Sequence, residues 1–154
     1  LGIIEAPNLN ERFVAVSGKF AYRQNIETNK KNNLKVSNED NLNKSYFVYC
    51  EGSEKNKNRI ISNFSEIYSS AKDFRKIGSA AIELALVASG KAEGYITNQI
   101  PIWDIAAGLI VVKEAGGEIC DFEKEKLSIN NLKVDEKINL LVSNGEVSLD
   151  FNLQ

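Results

Sequence analysis

The chain has 154 residues, 43% of them hydrophobic and 26% charged, which suits one globular domain and excludes a disordered or collagen-like chain. Its formal net charge of −2 gives no basic surplus for nucleic acid, and no apolar run reaches the ~18–20 residues that span a bilayer. With no histidine and only two cysteines, a His–Cys zinc site and His-dependent nucleophilic catalysis are excluded, so any metal must take oxygen ligands, as Mg2+, Mn2+ and Ca2+ do.

The chain contains no methionine and opens on Leu1-Gly2-Ile3-Ile4, which reads as a strand already under way. A fragment, a processed product or the tail of a longer protein is the expectation. Residues 2–5 and 12–17 read as strands, with turn chemistry in Pro7-Asn8-Leu9-Asn10 between them. Residues 19–23 follow Gly18 and extend the second strand. Residues 25–43 are rich in Asn and Lys and read as a surface loop holding one short strand at 34–37. Residues 45–50, Ser-Tyr-Phe-Val-Tyr-Cys, form a strand, and 52–58 a polar loop.

Ile60, Ile61, Phe64 and Ile67 have the spacing of an amphipathic helix over 59–70. A short strand at 74–77 ends at Gly78. Residues 79–89 are apolar on most sides and predict a buried helix closed by Gly90. A strand at 94–97 precedes a helix over 104–115, with Asp104 as N-cap and Gly116-Gly117 as stop. A strand at 118–122, a polar excursion at 124–134 and a strand at 138–142 complete the chain. Cys50 and Cys120 lie in strand-like runs and are expected as small buried hydrophobes in a reducing, cytoplasmic compartment. Glu83, Glu93 and Glu114 are expected to be solvated or paired. From residue 45 onward strands and helices alternate, which predicts an α/β fold with helices covering a sheet.

Two segments have the form of a ligand site. Arg75-Lys76-Ile77-Gly78-Ser79-Ala80-Ala81 runs from a strand through glycine into a helix. A helix N-terminus offers unpaired N–H groups and partial positive charge, which suits a phosphate oxygen. An ordinary turn and cap would use the same residues. In Ile102-Trp103-Asp104-Ile105-Ala106-Ala107-Gly108, a carboxylate sits at a helix start beside the only tryptophan, and small residues allow close packing. An N-cap beside a core anchor, Trp103, is the plainer account of those residues. One aspartate makes no catalytic Mg2+ site, which takes further carboxylates, phosphate and water.

Those two segments, joined by Leu86-Val87-Ala88-Ser89-Gly90-Lys91-Ala92-Glu93-Gly94-Tyr95 and followed by Glu114-Ala115-Gly116-Gly117, resemble the second half of the inositol monophosphatase family of Mg2+-dependent, lithium-sensitive sugar phosphatases. The opening strands and Leu141-Val142-Ser143-Asn144-Gly145 extend the resemblance over nearly the whole chain. It implies a layered helix–sheet sandwich. Residues 1–43 would complete the sheet of an absent amino-terminal half, and residues 44–154 would form a carboxyl-terminal α/β domain.

It further implies Asp104 as a catalytic metal ligand for Mg2+, and Gly78, Ser79 and Ala80 as contacts to substrate hydroxyls and phosphate. Thr97 falls where animal members carry an inositol-binding glutamate. That departure widens the substrate class to fructose bisphosphate, histidinol phosphate or 3′-phosphonucleotides. The family's Glu-Glu and Asp-Pro-x-Asp-Gly-Thr metal motifs are absent from residues 1–154. The expectation is therefore a parent phosphomonoesterase of which this chain is an inactive carboxyl-terminal part, joined to its other half and paired as a homodimer. A truncated, non-catalytic binding or assembly module is the alternative.

Overall fold

The computed structural model describes residues 1–51 and 64–149. The expected loop at 52–58 and the first turn of the helix expected over 59–70 lie outside these residues.

The chain begins as an antiparallel meander. Strand β1 (Gly2–Ala6) pairs with β2 (Glu11–Val16), β2 with β3 (Phe20–Asn25), and β3 with β4 (Lys31–Asn33). A single 3-10 turn at Pro7–Leu9 joins the first two, and Asn10 closes it in the left-handed region. Residues expected to extend β2 instead fold back as β3. Gly18 adopts φ +73° in the intervening turn, a conformation open to glycine, and the Lys19 N–H donates to the Val16 carbonyl.

The segment at 25–43 is less superficial than its composition suggests. Its strand is β4, ahead of the expected position, and Leu34 and Val36 beyond it are buried. The Val36 N–H donates to the Ala115 carbonyl, which pins this stretch to the end of a later helix. Polar composition concealed two apolar anchors spaced by two residues.

The second sheet is mixed and has the order β6-β5-β7-β9-β8. Its members are β5 (Tyr46–Cys50), β6 (Asp73–Arg75), β7 (Gly94–Pro101), β8 (Glu118–Cys120) and β9 (Lys137–Ser143). Strands β6 and β7 flank β5 in parallel, whereas β9 runs antiparallel to both β7 and β8. Helix α1 (Ser65–Ser70) precedes β6. Helix α2 (Ala80–Ala88) crosses from β6 to β7, and α3 (Ile102–Glu114) from β7 to β8. The crossovers are what parallel pairing requires.

Helices α2 and α3 pack on one another and touch both sheets, giving a sheet–helix–sheet sandwich. One core cluster gathers Ile4, Phe13 and Ala15 of the first sheet, Leu84, Leu109 and Val112 of the helices, and Tyr95 and Leu140 of the second sheet. A second cluster lies on the far face of the mixed sheet, where Phe64 meets Phe122 edge-on with ring centroids 4.8 Å apart. The close approach of α3 depends on missing side chains. A Cβ on Gly2 would stand 2.6 Å from the Ala107 carbonyl oxygen, and one on Gly108 would stand 2.5 Å from Leu84 Cδ1.

Strand β7 is longer than expected because it continues past an irregularity between Thr97 and Ile100, where Gln99 adopts φ +48°. Trp103 is not a core anchor: it is 63% exposed in the first turn of α3. Both cysteines are free thiols and half-buried rather than fully enclosed. Glu83 and Glu93 are buried, and each is paired with backbone amides rather than solvated. Among the described residues, no helix is long and apolar enough to cross a membrane.

Candidate functional site

Three parallel strands run in the same direction and end on the same side of the mixed sheet, the usual place for a ligand in an open α/β sheet. The last residue of β5 is Cys50. The chain leaving β6 turns through Gly78 into α2, and the chain leaving β7 enters α3. A cleft of about 300 Å³ opens between them, lined by Cys50, Gly78, Ser79, Ala80, Ala81, Ile100 and Asp104. Sequence reading found Gly78, Ser79, Ala80 and Asp104. It named Ala81 only as part of the same segment and missed Cys50 and Ile100, which sheet pairing brings to the cleft.

Gly78 adopts φ +88°, and a Cβ there would meet nothing within 4 Å. Glycine is required for its backbone conformation, not for lack of room. Ser79 is the extended N-cap of α2, yet its hydroxyl makes no capping bond. The turn ahead of the helix is held from below instead. Fully buried Glu83 accepts the N–H groups of Ile77 and Gly78 through Oε1, both at 2.9 Å. Burial raises the Glu83 pKa, and the Gly78 and Ile77 N–H groups work against that rise. A signal for Glu83 existed in the sequence: an acid in the first turn of an otherwise apolar helix.

Asp104 is exposed, and it is not the N-cap. Pro101 occupies that place, with φ −66° and ψ 143°, and Ile102, Trp103 and Asp104 are the first three helical residues. Proline suits the boundary because it has no N–H to leave unpaired. The carboxylate therefore lies in the first turn, still within reach of the helix dipole.

Thr97 lies elsewhere. Its residue is fully buried in β7, opposite Cys50 on one side and Leu140 on the other, and does not line the cleft. Its hydroxyl and that of Tyr95 are enclosed without a well-formed hydrogen bond. Burial pushes the Tyr95 phenol strongly upward, and the neighbouring Thr97 hydroxyl opposes the shift. At the rim, Lys76 is held by Glu51 at 3.0 Å.

The N-termini of two helices thus border one cleft and favour an anion there. The Asp104 carboxylate on the same wall repels an anion unless a cation lies between them. That combination fits a phosphate held together with a metal ion. Among the described residues, no three His, Cys, Asp or Glu side chains converge, so those residues alone do not complete a metal site.

The model of the inositol monophosphatase family matches residues 1–148. Among curated proteins, the chain is 33% identical over 146 residues to a fructose-1,6-bisphosphatase/inositol-1-monophosphatase of Thermotoga maritima, covering 94% of this chain and 50% of that protein. It is 34% identical over 126 residues to the Nus factor SuhB of Pasteurella multocida, covering 79% of this chain and 44% of that one. Among solved structures, an inositol monophosphatase from Anabaena aligns with a TM-score of 0.78 at 28% identity, covering 94% of this chain and 55% of that chain. The chain spans about half the length of the curated relatives it matches.

Proposed function

The chain belongs to the inositol monophosphatase family, a family of phosphatases, and from that premise we propose that it provides one side of a site hydrolysing a small phosphomonoester with Mg2+. The observation that carries the reading is the cleft where the N-termini of α2 and α3 meet beside the Asp104 carboxylate. Backbone N–H groups at Ser79 and Ala80 bind and orient the phosphate and nearby hydroxyls, and Gly78, whose N–H is held by Glu83, shapes the turn that presents them. Asp104 provides one ligand to the metal, and the remaining ligands come from outside residues 1–154. A divalent ion in that place supplies positive charge that lets phosphate and carboxylate share the cleft. Thr97, buried in β7 opposite Cys50 and absent from the cleft wall, is given no substrate contact in this proposal.

The substrate class is a sugar or inositol phosphate. The name of the Thermotoga maritima relative pairs fructose 1,6-bisphosphate with inositol 1-phosphate, and both are proposed for this site. A cytoplasmic homodimer belongs to the same proposal and rests on the family resemblance. A second reading is favoured by the Nus factor name of the Pasteurella multocida relative: an assembly module without turnover.

Phosphate release separates the two. Inositol 1-phosphate, fructose 1,6-bisphosphate and a 3′-phosphonucleotide are assayed with and without Mg2+, using the 154-residue chain and a longer protein that contains it. The proposal expects Mg2+-dependent release from the longer protein and none from the chain alone. No release by the longer protein from any of the three would support the assembly module instead.

A further inference from the structure

The residue that fixes the ligand-receiving turn is not in the cleft. Between Arg75, the last residue of β6, and Ala80, the first of α2, four residues must reverse the chain, and one of them stands at φ +88°. Residues 76–79 are exposed, so no apolar packing holds this turn in shape. Beyond the Lys76–Glu51 ion pair at its start, what holds its backbone is one carboxylate oxygen. Glu83 Oε1 accepts from Ile77 and Gly78 together, each at 2.9 Å, and the Glu83 N–H closes the first helical bond onto the Ser79 carbonyl at 2.9 Å.

This arrangement sorts the donors. The N–H groups of Ile77 and Gly78 point down to Glu83. The Ser79 hydroxyl makes no capping bond, and Ala80 and Ala81 keep the N–H groups of a helix start beside the cleft they line. Burying a carboxylate whose second oxygen has no partner is costly, and an apolar residue in a helix-packing position would avoid that cost. A charge kept in such a place points to a task in the turn above it.

We infer that Glu83 is a positioning residue, which clamps the 77–78 backbone from beneath and thereby sets the 78–80 turn in its phosphate-receiving shape. The inference rests on the phosphatase reading for its ligand but not for the clamp. It assigns Glu83 no contact with substrate and no proton transfer. Loss of the clamp is expected to weaken substrate binding while leaving the Asp104 side of the cleft, on a different helix, unaltered.

The test has two readouts on the longer protein carrying this chain. Amide hydrogen exchange reads the clamp. In the wild type, Ile77 and Gly78 exchange slowly although both residues are exposed, and in Glu83→Leu both exchange at least tenfold faster. Steady-state kinetics with inositol 1-phosphate and Mg2+ read the positioning. Glu83→Leu raises KM about tenfold or more with the Mg2+ requirement unchanged, and Glu83→Gln, which keeps an acceptor oxygen at the same reach, restores both exchange and KM.

Fast exchange at Ile77 and Gly78 in the wild type overturns the clamp without need of any variant, including where Glu83→Leu fails to fold. Faster exchange in Glu83→Leu with unchanged KM overturns the positioning role and leaves Glu83 a cap. Slow wild-type exchange with no hydrolysis of any phosphomonoester upholds the clamp and sinks the phosphatase reading, so the two failures are told apart.

Discussion

Glu83 sits in an apolar environment with Tyr95 and Thr97 hydroxyls enclosed nearby, and its stability contribution depends on pH in a direction opposite to that of a surface carboxylate. Burial raises its folded pKa above the ordinary 4.5. The folded protein therefore holds the proton to a higher pH than the unfolded chain does. The contribution of Glu83 to stability is greatest below the ordinary value and declines as pH rises toward the raised folded value. Glu83→Gln stays neutral throughout, so its stability relative to wild type should increase across that window and then level off. Urea midpoints from acid to neutral pH read this directly, and a pH-independent difference would contradict it. Asp104, Gly78, Ser79 and Ala80 were legible in sequence because a glycine before a helix and an acid in a first turn have local causes. Cys50 and Ile100 were not, because what brings them to the cleft is the pairing of β5 with β7, which no local pattern encodes.

At the scale of elements, the packing of α3 is set by small residues that are conspicuous in the sequence as Ala106-Ala107-Gly108. The structure gives the last two a close neighbour. Ala107 meets Gly2 of β1, and Gly108 meets Leu84 of α2. Leu84 is fully buried and has little room to move. Gly108→Ala is expected to cost about 1–3 kcal/mol through overpacking, despite the higher helix propensity of alanine. A denaturant midpoint equal to or above that of the wild type would show that the helices can separate freely. Helix periods were readable for α2 and α3 because runs of nine and thirteen residues carry a full pattern. The join of β2 to β3 and the irregular step in β7 were not, since a turn and a bulge each depend on a partner strand for their register.

For the whole molecule, the alternation of strands and helices from residue 45 onward followed from the sequence, but the fold-back of β3 and the division into two sheets with helices between them did not. Alternation tells that a strand has one buried face and not which sheet it joins. The first sheet also has an outer face on which Ile3 lies opposite Val14, and Ile3 and Leu1 are exposed. Among the described residues, β1 has β2 as its only strand neighbour. An edge with free backbone groups beside exposed apolar side chains favours association. The 154-residue chain should therefore associate in a concentration-dependent way, and Ile3→Lys should shift it toward monomer without changing its far-ultraviolet dichroism. Sedimentation showing a monomer at every concentration would remove this expectation.

The central claim concerns Asp104. Among the described residues it is the single acidic side chain lining the cleft, and in the proposed function it holds the metal while the α2 N-terminus takes the phosphate. The most direct measurement compares wild type and Asp104→Asn in the longer protein by phosphate release from inositol 1-phosphate over a Mg2+ titration. The account predicts turnover lower by about a hundredfold or more and a midpoint moved to higher Mg2+, because the substitution removes a charged metal ligand and keeps its shape. Turnover and Mg2+ midpoint close to those of the wild type would contradict it.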